Sequence, residues 1–110
     1  MLTLPIKKKW FDMILSGEKK EEYRETTSYW MTRFAKVFGE CAYGVVHPKC
    51  CEAKSCAAEI MFCNGYGKNP PSFVAKCTLS VGKGRKEWGA EPGKEYYTLK
   101  IHEITERKGC

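Results

Sequence analysis

Two helix-spaced apolar stripes stand out along the chain. Between residues 7 and 16, Trp10, Phe11, Ile14 and Leu15 recur at i, i+1, i+4 and i+5, which is one face of a helix. Gly17 follows where a helix end adopts positive φ without steric cost, so the helix is expected to stop there. The second stripe is Trp30, Arg33, Phe34, Val37 and Phe38, at i, i+3, i+4, i+7 and i+8. Thr26, Thr27 and Ser28 offer an N-cap for it and Gly39 a stop.

Between and after these stripes the pattern is that of strands. Residues 2–6 (LTLPI) read as a short first strand, expected to be ended by Pro5. Residues 18–25 (EKKEEYRE) have no helix-period apolar face and read as an edge or cleft-facing strand. Glu22 and Arg24 then lie on one face, with Glu21, Tyr23 and Glu25 on the other. Residues 57–63 (AAEIMFC) make a further strand closed by Asn64-Gly65, and Asn69-Pro70-Pro71 marks a loop. Residues 73–81 alternate through Phe73, Ala75, Cys77, Leu79 and Val81, and residues 96–104 through Tyr97, Leu99 and Ile101. Turns are expected at Gly82 to Lys86 and at Pro92-Gly93. The order β, α, β, α, then strands predicts an α+β fold with helices packed on a curved antiparallel sheet or barrel.

Length limits this to one domain, residues 1–110, with one core. The stretch 40–56 lacks periodicity and reads as a variable, cysteine-rich insertion. No apolar run approaches the ~20 residues of a membrane span. Leu2–Ile6 precedes three lysines, the reverse of a signal peptide's order, so a cytoplasmic location is expected, without membrane association. The seven cysteines are an odd number, and without an export signal they are expected to be reduced, some buried as small hydrophobes. The formal net charge of +6 suits a nucleic-acid partner, because each phosphate met by Lys or Arg releases counterions.

The candidate chemistry gathers after Gly17. Gly17-Glu18-Lys19-Lys20-Glu21-Glu22-Tyr23-Arg24 fits the pattern G-x-K-x-x-E-x-R at all four defined positions. Lys19, Glu22 and Arg24 supply a cation, an anion and a permanent cation. Burial beside Arg24 lowers a lysine's pKa, which would let Lys19 act as general base with Glu22 relaying the proton. Arg24 would stabilise an oxyanion or hold a phosphate. An ordinary ion-pair set on a strand is the plainer alternative. Lys19 points away from Glu22 and Arg24 in a regular strand, so convergence requires the chain to turn near Gly17.

This motif resembles the signature of the ASCH family, and its setting after a short strand and an aromatic-rich helix is similar too. Asn64-Gly65-Tyr66, Glu87-Trp88-Gly89-Ala90, Pro92-Gly93 and Tyr97-x-Leu99-x-Ile101 also look like small stand-alone ASCH proteins of bacteria and phages. The likeness covers residues 1–34 and 57–104. It implies a PUA-like antiparallel β-barrel of five to six strands flanked by two or more helices, with the motif lining a cleft. It implies an RNA or modified-nucleoside partner and no cofactor. Alternatively, it implies an amidohydrolase acting on acylated nucleosides such as N4-acetylcytidine, or a ribonuclease. The amidohydrolase members carry a hydroxyl residue where this chain has Glu22 and use a later carboxylate, for which Glu87 and Glu91 are the candidates. A phage or prophage protein-interaction module is a third reading.

Other residues extend the candidate ligand site. Tyr23 belongs to the motif. Asn64 and Tyr66 would read and stack on a base, unless the loop merely uses Asn-Gly for its backbone angles. Trp88 would be a stacking platform or a plug at the barrel end. Lys83 and Arg85 lie in a Gly-Lys-rich turn suited to phosphates, or are simply solvated. Cys41, His47, Cys50, Cys51 and Cys56 are zinc-ligand types, but C-x5-H-x2-C-C-x4-C matches no standard finger, so no metal is expected.

Overall fold

The alternating segments pair into one five-stranded sheet in the computed structural model, which describes residues 1–39, 57–65 and 67–109. The elements are β1 (Leu2–Ile6), α1 (Lys8–Leu15), β2 (Glu21–Glu25), α2 (Ser28–Phe38), β3 (Ala57–Asn64), β4 (Ser72–Lys83) and β5 (Glu95–Lys108), with a 3-10 turn at Lys86–Trp88. Sheet order is β1-β3-β4-β5-β2. The architecture is therefore α+β, as expected. The five strands form an open mixed sheet, which corrects the expectation of purely antiparallel pairing. β1 runs parallel to β3, with Leu4 opposite Phe62, and the other three pairings are antiparallel. A parallel neighbour needs a long crossover, and the segment carrying α1, β2 and α2 supplies it.

Both helices lay the expected stripes on the sheet. Phe11 and Ile14 of α1 and Phe34 and Phe38 of α2 are buried with Leu4, Ile60, Phe62, Phe73, Cys77 and Leu99. Rings interlock across elements: Phe11 meets Phe73 at 5.0 Å, and Phe34 meets Tyr97 at 5.2 Å. Thr27 caps α2 by accepting from the Trp30 backbone N–H. Two assignments to the core are corrected. Arg33 is exposed, its guanidinium lying 4.4 Å over the Tyr29 ring. Val81 is also exposed, in the last third of β4, where burial gives way to exposure.

β5 continues four residues past the expected end. Its register with β4 slips twice, skipping Thr105 and His102. Such bulges bend a strand and increase its twist. The sheet curls enough that Arg24 of β2 donates to the Pro5 carbonyl of β1 at 3.3 Å, although the two strands lie at opposite ends of the sheet order. Among the described residues, no helix is long and apolar enough to cross a membrane.

Candidate functional site

The turn required near Gly17 is present. Gly17 has φ +85°, and the Lys19 backbone N–H donates to Met13 O at 2.9 Å, folding residues 17–19 back over the last turn of α1. β2 begins only at Glu21, so Lys19 escapes the strand's alternation. Its ammonium sits 2.9 Å from Glu22 Oε1, while Arg24 donates from the other side to Glu22 Oε2 at 3.0 Å. Lys19, Glu22 and Arg24 thus converge on one carboxylate.

All three charged groups are held internally. Lys19 is 2% exposed and also donates to the Trp88 carbonyl at 2.5 Å, with the Trp10 ring 4.3 Å away. Burial pulls the Lys19 pKa below its ordinary value, and the Glu22 carboxylate works against that shift. Arg24 donates to the Tyr23 carbonyl at 2.7 Å besides its bonds to Glu22 and Pro5, and its guanidinium lies 5.2 Å from the Trp30 ring. A carboxylate offers about four lone-pair sites, so Glu22 retains acceptor capacity beyond these two partners.

Tyr23 packs beside this cluster, its ring 5.5 Å from the Lys19 ammonium. Its hydroxyl donates to Glu21 Oε1 at 2.8 Å and accepts from the Arg85 backbone N–H at 2.9 Å. Burial and the Glu21 contact push its pKa up. The connection after β4 packs tightly on this ring: a Cβ at Gly84 would lie 2.7 Å from Tyr23 Cζ and 2.6 Å from Ala90 Cβ. That packing fixes the 3-10 turn, whose Trp88 carbonyl meets Lys19.

Together these elements enclose a cleft of about 550 Å³ between β1 and β2. Lys19, Glu22, Tyr23, Arg24 and Trp88 are the expected residues that line it. Gly17 sets the turn rather than the wall. Arg85 and Glu87 flank Trp88 on the outside: the Arg85 guanidinium lies 4.9 Å from the Trp88 ring and 3.5 Å from the Glu87 carboxylate. Glu87 and Glu91 are exposed and outside the lining, so neither stands beside Lys19. Asn64 ends β3 and Lys83 ends β4, both away from the lining. Tyr66 and the candidate zinc ligands Cys41, His47, Cys50, Cys51 and Cys56 lie outside the described residues.

Sequence reasoning missed most of the wall. Lys7, Trp10, Tyr29, Trp30, Arg33 and Tyr96 also face the cleft. The helical stripes place Trp10 and Trp30 in the core, yet both are partly exposed. A signal was available: both stripes begin on a tryptophan in the first turn, where a helix rim opens onto its neighbours. No family model, curated protein or solved structure matches the chain. In the cleft, aromatic faces and two exposed cations, Lys7 and Arg33, surround a fixed carboxylate.

Proposed function

We propose that the chain is an ASCH-type domain of PUA-like descent, its sheet open at the β1–β2 seam that Arg24 bridges, whose cleft takes the base of an RNA or modified nucleoside. One observation carries this reading: the cleft surrounds the Lys19–Glu22–Arg24 cluster with aromatic rings. Aromatic faces suit bases, which are recognised by stacking and by hydrogen bonds to their edges. A volume of about 550 Å³ lies in the range of small-molecule sites. Glu22 is held by two cations and accepts from an exocyclic amine, so an amine-bearing base, such as cytosine, is favoured over uracil. Lys7 and Arg33 at the rim meet phosphate.

The test is a tryptophan-fluorescence titration, since Trp10, Trp30 and Trp88 all line the cleft. Cytidine 5′-monophosphate is expected to quench saturably and more tightly than uridine 5′-monophosphate. Absence of saturable quenching by either nucleotide refutes the reading.

The lowered pKa of Lys19 favours a second reading, hydrolysis of an acylated cytidine with Lys19 as base. This requires the ammonium to shed its proton and part from the Trp88 carbonyl. Release of acetate from N4-acetylcytidine, lost in Lys19→Ala, supports it, and turnover by that variant rules the mechanism out.

A further inference from the structure

Helix α2 carries its core stripe on one side and a second pattern on the other. Tyr29, Arg33 and Lys36 recur at i, i+4 and i+7, all three exposed. Tyr29 is 57% exposed, uncommonly open for a large aromatic side chain, and its ring is held by the Arg33 guanidinium at 4.4 Å. Tyr29 and Arg33 line the motif cleft and also a second depression of about 860 Å³, which continues past Thr32 and Lys36. The two depressions therefore adjoin at Leu2, Tyr29 and Arg33. Among the described residues lining this second surface, Glu59 stands against the two cations Arg33 and Lys36.

We propose that the ligand is a single-stranded RNA segment rather than a free nucleoside, with one base in the motif cleft and the strand continuing along the exposed flank of α2 beside Leu2 and Glu59. This rests on the reading of the cleft as a base site. Tyr29 provides the second stacking platform, and Arg33 and Lys36 meet successive phosphates. Seven residues of helix separate Tyr29 from Lys36, about 10 Å of rise. A free nucleoside has no phosphate to place on that face, whereas a strand matches its charge and its aromatic step.

The experiment compares cytidine 5′-monophosphate with the tetranucleotide CCCC by tryptophan quenching, in the intact chain and in Lys36→Gln. Lys36 lines the second depression and not the motif cleft, so mononucleotide affinity is expected to stay the same in the variant. The tetranucleotide is expected to bind at least about tenfold more tightly than the mononucleotide. Lys36→Gln lowers tetranucleotide affinity by about fivefold and flattens its log–log salt slope by about 0.7, one phosphate contact on a single strand. Equal affinity for the two ligands overturns the strand reading alone, as does a tetranucleotide affinity indifferent to Lys36→Gln. Failure of both ligands to quench removes the base site itself and this inference with it.

Discussion

Glu22 stands between two cations, and removing it should cost more than removing either of them. Lys19→Met deletes an ammonium that is 2% exposed. It strands the Trp88 carbonyl, at about 1–3 kcal/mol for an unsatisfied buried acceptor. It also removes the contact with the Trp10 face, about 1–2 kcal/mol when desolvated. Against this, the methionine no longer carries the burial penalty that depresses the Lys19 pKa. The net loss is expected to be about 1–3 kcal/mol, with Glu22 still bound to Arg24. Glu22→Gln instead leaves Lys19 and Arg24 facing each other without a carboxylate, and is expected to cost about 3–5 kcal/mol. Urea denaturation followed by far-UV circular dichroism measures both. Without the Glu22 carboxylate, its charge and its hydrogen bond no longer raise the Lys19 pKa, so in Glu22→Gln the folded value falls further below the unfolded 10.5. Over that interval the unfolded state binds more protons, and stability rises with pH. The Glu22→Gln deficit relative to the parent chain should therefore be smaller at pH 9 than at pH 7, other groups cancelling in the difference. A Lys19→Met loss equal to or above that of Glu22→Gln refutes the reasoning, as does a deficit that grows with pH.

Three other outcomes are expected. Gly84→Ala drives a methyl into Tyr23 and Ala90 at 2.6–2.7 Å and should destabilise by about 1–3 kcal/mol, read as a lower urea midpoint at unchanged m. Burial raises the Cys77 thiol from its ordinary 9.0 to about 12. The fold keeps a proton that the unfolded chain releases, so stability present below pH 9 is lost as pH rises toward 12, by about 2–3 kcal/mol at pH 11. Cys77→Ala should show a correspondingly shallower decline from pH 8 to 11, whatever its stability at neutral pH; an unchanged slope would contradict the burial effect. Arg24→Lys keeps the charge but cannot donate to Glu22, the Tyr23 carbonyl and the Pro5 carbonyl together. A loss of about 1–3 kcal/mol is expected by the same assay, and a neutral result would mean that the fork geometry does not matter.

What was legible in the sequence divides along physical lines. Both helices and the β4 and β5 strands followed from periodicity, because each buries one face against a single core and the pattern is local. Convergence of Lys19 with Glu22 depended on one glycine, and Gly17 announced it. The parallel pairing of β1 with β3 was not legible, since nothing local in residues 2–6 distinguishes a parallel neighbour from an antiparallel one. Arg33 illustrates a second limit. Its i+3 spacing from Trp30 placed it on the apolar stripe, yet helix positions 30, 33, 34 and 37 span a wide arc, and Arg33 falls on its solvent margin. The wall formed by Lys7, Trp10, Tyr29 and Tyr96 comes from three separate parts of the chain, and only the curl of the sheet brings them together.

The hydrogen bond from Arg24 to the Pro5 carbonyl has a bearing on how this chain behaves among copies of itself. An open sheet ends in two strands with unused backbone groups, and such strands recruit further strands into aggregates. Here both terminal strands, β1 and β2, turn their unused sides onto the cleft. Pro5 has no N–H to offer an incoming strand, and its carbonyl is already taken by Arg24. The side chain that completes the site thus also keeps the sheet from growing, and a variant selected for a wider cleft at this seam would gain a tendency to polymerise along with it.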